Sequence, residues 1–193
     1  MIYTAIHNSF GDPMIELRSE PYTLLSRPDI PETEKRFRTH LNAGWCSGVM
    51  FGVLVHHKFA QPIEYDAMLW NHESMLFVEY KDSVGAYRRM SAKRAQQVSA
   101  SSRNIARRFG FDRCAYIMVV NGIPEETKKG EVVAIPLEKL PDYEPLFQST
   151  IPELDYVKKL IAKYEREENP AEVTRERTVR ELRVLEGMIV QLK

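Results

Sequence analysis

Short apolar runs separated by polar turns fill the first three quarters of the chain, and apolar residues at steps of three and four fill the last. That change of period separates strands from helices. Three runs stand in series, Val49 to Val55, Ile63 to Trp70 and Met75 to Lys81. The last two are joined by the polar turn Asn71-His72-Glu73-Ser74, which predicts a hairpin. Two further strands are expected at Cys114 to Val120 and Val132 to Leu137. A helix is expected ahead of the first run. Pro31 suits a first helical position, Glu32 and Glu34 complement the dipole of the first turn, and Gly44 marks the end. On it Glu34 shares a face with Phe37 and Leu41. A second helix is expected from about Tyr87 to Phe109, with Ala95, Val98, Ser102, Ile105 and Phe109 as packing seam and Gly110 as stop. The order α-β-β-β-α-β-β packs as a mixed β-sheet flanked by helices, an α/β fold.

Residues 31–140 form the core on this reading. Residues 1–30 carry β-like runs around Ile2 to Ile6 and Met14 to Leu17 and then Pro21 and Pro28, and are expected as an irregular lead-in. Residues 141–193 are expected as a C-terminal helical hairpin. Leu154, Val157, Ile161 and Tyr164 stripe one helix, Leu182, Leu185, Ile189 and Leu192 the other, with Asn169-Pro170 between them. Such stripes serve equally for packing on the core or for a homodimer interface.

Composition narrows the function classes. With 44% hydrophobic and 10% aromatic residues the chain can build a real core, and 27 basic against 27 acidic residues leave no net charge. Any attraction to nucleic acid must therefore be local. The two cysteines, Cys46 and Cys114, lack CxxC spacing, which argues against a disulfide framework and a zinc ribbon and for a reducing compartment. No basic leader with a long apolar stretch opens the chain and no run reaches membrane length, so the expectation is a cytoplasmic protein without a membrane partner. There is no GxGxxG, Walker or GxSxG motif, and His56-His57 would point its rings to opposite faces of a strand.

The chemistry-bearing residues lie on the hairpin. With 71–74 as the loop, facing residues sum to 145, which sets Asp66 against Glu79 and Glu64 against Lys81. Strand alternation places Glu64 with Asp66, and Glu79 with Lys81. Opposed carboxylates destabilise a sheet unless a cation lies between them. Oxygen ligands suit Mg2+ or Mn2+, and a lysine two residues along can steady a phosphate or an attacking water. Asp66 and Glu79 are thus candidate metal ligands, and Lys81 completes a candidate hydrolytic site.

Glu64-Tyr65-Asp66, then thirteen positions to Glu79, then Glu79-Tyr80-Lys81 closing an apolar strand, resembles the D…(D/E)xK signature of the PD-(D/E)xK nuclease superfamily. The likeness covers roughly residues 31–137 and is nearest to nuclease-related domains, restriction endonucleases and junction resolvases. It departs from the pattern at Tyr65, which stands in place of proline, and lacks QxxxY, since Gln96 and Gln97 are followed four on by Ala100 and Ser101. The resemblance implies a restriction-endonuclease-like sheet, a Mg2+- or Mn2+-dependent endonuclease acting on DNA with RNA as the alternative, and Glu34 as a third metal ligand. A nuclease-fold subunit that only binds nucleic acid or assembles with partner proteins is the rival, and a purely structural module the second.

Between Ser83 and Phe111 there is no Asp or Glu, while Arg88, Arg89, Lys93 and Arg94 follow directly on the Lys81 strand. With Gln97 they are the candidate nucleic-acid contacts, the other reading being a solvated helix face.

Overall fold

The computed structural model describes residues 3–7, 13–26, 32–57, 60–166 and 172–191. The chain forms two compact units, residues 1–150 and residues 151–193. In the first, the elements are β1 (Tyr3–His7), β2 (Pro13–Ser19), β3 (Tyr22–Ser26), α1 (Glu32–His40), β4 (Gly48–His57), β5 (Ala60–Trp70), β6 (Ser74–Lys81), α2 (Val84–Arg89), α3 (Ala92–Arg108), β7 (Arg113–Val120), β8 (Thr127–Lys129), β9 (Val132–Pro136), a 3-10 turn at Leu137–Asp142, and β10 (Gln148–Ser149).

Among the described residues, ten strands join one mixed sheet in the order β1-β2-β3-β4-β5-β6-β7-β9-β8, with β10 beside β7. Neighbours from β1 to β6 are antiparallel, whereas β6/β7 and β7/β9 are parallel. The parallel β6/β7 pair requires a long crossover, which α2 and α3 supply. The α3 seam of Ala95, Val98, Ser102 and Ile105 is buried on one face of the sheet. The other face buries Phe37 of α1 and Leu137 and Leu140 of the 3-10 turn. Sequestering Phe37 completely contributes about 1.5–3 kcal/mol. Its ring stacks on Tyr80 at 5.0 Å, which ties α1 to the strand that carries Glu79 and Lys81.

Several expectations are corrected. The segment expected as an irregular lead-in supplies strands β1, β2 and β3, which extend the sheet beyond β4. Helix α1 stops at His40, four residues before Gly44. The single helix expected from Tyr87 to Phe109 is two, because Ser83 caps α2 and Ser91 starts a new helix by accepting the N–H of Arg94. Gly110, at φ 85, ends α3 as expected, with the N–H of Phe111 reaching back to the Ala106 carbonyl. Strands β8 and β10 carry little apolar pattern and were not expected.

The second unit is the expected helical hairpin, α4 (Leu154–Arg166) and α5 (Glu172–Gln191), closed by Val157, Ile161 and Ile189. Pro31, Asn169-Pro170 and Leu192 lie outside the described residues.

Candidate active site

Register in the hairpin follows the expected sum: Trp70 faces Met75, Leu69 faces Leu76, Met68 faces Phe77 and Ala67 faces Val78. The ladder then stops one pair short of Asp66 and Glu79. In place of a strand carbonyl, Asp66 Oδ2 accepts the N–H of Tyr80 at 2.5 Å. From here towards its start, β5 pairs with β4 but not with β6.

The cause is a kink that both β4 and β5 share. Tyr65 and Met68 are buried in the same apolar layer, whereas Ala67 belongs to the layer on the opposite face. Alternation therefore slips at Asp66. It slips in β4 as well, since Met50 and Val53 share the layer of Tyr65 while Phe51 belongs with Ala67. Opposite Asp66 stands Gly52 at φ 54, a left-handed conformation that glycine adopts freely and side chains with a Cβ resist. Glu64 and Asp66 thus do not share a regular face, which corrects the expected parity. Glu64 is exposed and faces Leu54 of β4, and the β5–β6 ladder does not reach it, so it is not the cross-strand partner of Lys81. Lys81 instead pairs with Glu79 on its own strand, Nζ to Oε1 at 2.5 Å.

Strand β6 alternates regularly, with Met75 and Phe77 in the α3-side layer, so Glu79 and Lys81 project towards that side. Glu34 comes from α1, which covers the opposite face, and its carboxylate accepts from Arg38 Nη2 at 2.9 Å. At the gap between the faces Asp66 senses all of them. Burial first, then the charge of Glu79 and more weakly that of Glu34, push its carboxyl up from 3.8 to about 7; the Tyr80 N–H and Lys81 act in the opposite direction. Beneath them, Tyr116 is buried with no hydrogen-bond partner for its hydroxyl among the described residues. Its phenol is pushed upward by burial and then by Glu79.

The structure therefore brings Asp66, Glu79, Lys81 and Glu34 into one electrostatic neighbourhood. Among the described residues no three His, Cys, Asp or Glu side chains converge as a ready-made cage for a metal. Each acid is turned to its own neighbour: Glu79 to Lys81, Glu34 to Arg38, and Asp66 to a backbone N–H. The donors are nonetheless three carboxylates, the oxygen set that hard divalent cations select.

Arg88, Arg89, Lys93, Arg94 and Gln97 are all exposed, and none of the four cations has an ion-pair partner among the described residues. Arg94 opens α3 close enough to lower the phenols of Tyr65 and Tyr116, the same groups that Glu79 raises. The break between α2 and α3 is fixed by Lys129, whose ammonium donates to the carbonyls of Tyr87 and Met90 and lies 4.0 Å from the centre of the Tyr87 ring. Sequence reasoning passed over Gly52, Arg38 and Lys129. Of these, only Arg38 left a signal, standing four residues after Glu34 on the same helix face. Among the described residues no helix is long and apolar enough to cross a membrane. In comparison with known proteins, no family model matches the chain and no curated protein matches it.

Proposed function

We propose that the protein is a metal-dependent nuclease that hydrolyses phosphodiester bonds of DNA, with a restriction-endonuclease-like core in β4 to β9, α1 and α3. The observation that carries this reading is the arrangement of acids at the Gly52–Asp66 kink. There a half-buried Asp66 is pushed to about 7 by desolvation and by Glu79, while Lys81 is salt-bridged to the same Glu79. A desolvated carboxylate that faces a second acid is a standing electrostatic cost, and a divalent cation would relieve it.

Asp66, Glu79 and Glu34 would hold Mg2+ or Mn2+, which when bound supplies Lewis acidity towards a phosphate oxygen and lowers the pKa of an attacking water. The residues of the chain do the rest. Lys81 offers a point charge, paired with Glu79 two residues earlier, for a phosphate oxygen or the attacking water. Asp66, with its carboxyl at about 7, would give up its proton on taking a cation. Arg88, Arg89, Lys93, Arg94 and Gln97 supply contacts to the nucleic-acid backbone on the side where Glu79 and Lys81 emerge.

A second reading is favoured by the ion pairs Glu79–Lys81 and Glu34–Arg38, which compensate two of the three acids internally. On that reading the chain is a catalytically inactive nuclease-fold subunit that binds nucleic acid or partner proteins. Nicking of supercoiled DNA separates the two. Cleavage that requires Mg2+ or Mn2+, stops with EDTA and is lost in Asp66→Asn supports the nuclease. DNA binding without metal-dependent cleavage supports the inactive subunit.

A further inference from the structure

Strand β8 lies at the edge of the sheet, is three residues long and buries no side chain: Thr127 and Lys128 are exposed and Lys129 is half-buried. Such a strand adds no apolar group to the core, so its place in the fold rests on what it holds. Lys129 and the turn that follows it hold the junction of α2 and α3.

The Lys129 ammonium donates to the carbonyls of Tyr87 and Met90 and lies 4.0 Å from the centre of the Tyr87 ring. A cation suits this position, where the last carbonyls of α2 carry the negative end of its dipole. The two residues between these carbonyls are Arg88 and Arg89. Both ends of that dipeptide are thus tied to β8. Its two side chains are exposed and have no ion-pair partner among the described residues. One residue after Lys129, the missing side chain of Gly130 admits Gln96 from the early part of α3: a Cβ there would lie 2.8 Å from Gln96 Nε2. The β8–β9 turn therefore touches both basic segments, α2 through Lys129 and α3 through Gly130. The charge of Lys129 itself is turned inward onto carbonyls and a ring.

We propose that Lys129 is a positioning residue of the nucleic-acid interface, which fixes the stretch of backbone that presents Arg88 and Arg89 to the phosphates of a DNA duplex. A fixed backbone lowers the ordering cost of each contact, so affinity depends on a lysine that touches no phosphate. The inference rests on the reading of α2 and α3 as the DNA-binding surface, and its test keeps the two separable.

The test is binding of the whole chain to a fluorescently labelled DNA duplex in EDTA, followed by anisotropy over a series of salt concentrations. EDTA keeps cleavage out of the measurement. Replacing both Arg88 and Arg89 with glutamine should flatten the slope of log affinity against log salt by about 2. Lys129→Met should flatten it by about 1 to 2 in the parent and leave it unchanged in the Arg88→Gln, Arg89→Gln background, because it acts through those two side chains. Lys129→Arg keeps a cation and its donors and should restore part of the loss. Circular dichroism identifies a variant that fails to fold, in which case Lys129→Gln replaces Lys129→Met in the cycle. Flattening by about 1 in both backgrounds would mean that Lys129 meets a phosphate itself, and would overturn the proposal. So would a lowered melting temperature with an unchanged slope, the mark of a purely structural clamp. If the Arg88→Gln, Arg89→Gln variant flattens the slope and Lys129→Met does not, the surface stands and only the role of Lys129 falls. If neither changes it, both fall.

Discussion

Asp66 takes the backbone N–H of Tyr80 at the position where the β5–β6 ladder breaks off. This bond separates the consequences of two substitutions. Asp66→Asn keeps an acceptor oxygen for that N–H and removes a charge beside Glu79, so the metal-free protein should be as stable as the parent or more so, with metal-dependent cleavage lost. Asp66→Ala also removes the charge but orphans the N–H of a buried residue, and should fall below Asp66→Asn by about 1–3 kcal/mol. Urea melts without metal measure the order. An Asn variant clearly less stable than the parent would show that the acids do not repel each other at this site.

The pH dependence of the metal-free protein follows from the same group. Its pKa in the folded chain, about 7, lies above the ordinary carboxyl value of 3.8, so folding takes up a proton between the two. The contribution of Asp66 to stability is fully present below about pH 4, falls as pH rises towards 7, and is level above that. Subtracting the profile of Asp66→Asn from that of the parent isolates it. A flat difference between pH 4 and 7 would mean that Asp66 titrates normally. Manganese affinity should show the mirror image, rising with pH to about 7 and then levelling, with proton release detectable by calorimetry in buffers of different ionisation enthalpy.

Gly52 is the backbone device that lets β4 follow the kink. At φ 54 a Cβ is disfavoured, and Gly52→Ala should cost about 1–2 kcal/mol. Gly52→Val, being β-branched, should cost more. Because the strain lies opposite Asp66, metal affinity should fall along with stability. A Gly52→Ala protein with both properties unchanged would separate the kink from the site.

The legible and illegible parts of the chain differ in physical kind. The hairpin register could be read because a four-residue polar loop and two long apolar strands leave a single pairing that keeps both faces dry. The kink could not, since a parity argument assumes that alternation persists, and a lone glycine in an apolar strand says only that something irregular occurs. Strand β8, Thr127–Lys129, is polar and is held by its ladder to β9, which leaves no periodic trace. The helix break at Ser91 lies inside a run with good helical spacing, where a serine cap is visible only once the turn has formed. Arg38 was hidden by its setting: on a helix as charged as α1, a cation four residues after a glutamate looks like another solvated pair.

Truncation places the boundary of the proposed catalytic unit. Thr150 closes residues 1–150 with its N–H on the Asp112 carbonyl and its hydroxyl on the Phe111 carbonyl, and β10 just before it pairs with β7. A chain cut after Thr150 should fold and retain metal-dependent cleavage, with any change confined to mass or solubility. A cut after Leu140 removes these bonds and should be measurably less stable. Thermal melts and sizing of the two truncations decide this. A folded 1–150 chain of native oligomeric mass without activity would assign the C-terminal hairpin a part in the chemistry.

The exposed cations of α2 and α3 make the last prediction quantitative. Each phosphate that a protein ceases to neutralise lowers the magnitude of the slope of log affinity against log salt by about 0.9 on duplex DNA. If Arg88, Arg89, Lys93 and Arg94 each meet a phosphate, replacing all four with glutamine should flatten that slope by about 3 to 4. Fold stability should change little, since none of the four has an ion-pair partner among the described residues. Arg103→Gln is the control: its guanidinium is bound within the protein to Gln148 Oε1 at 2.9 Å, so it should move the melting temperature and leave the slope alone. Gln97→Ala removes no charge and should weaken binding by a similar factor at every salt concentration. Arg94 differs from the other three because its charge reaches Tyr65 and Tyr116, the phenols that also sense Glu79. Arg94→Gln alone should therefore reduce cleavage at saturating DNA, where Arg88→Gln should reduce only affinity. A slope unchanged in the fourfold variant would move the binding surface off these helices, and equal cleavage by the Arg94 and Arg88 variants at saturation would remove Arg94 from the site.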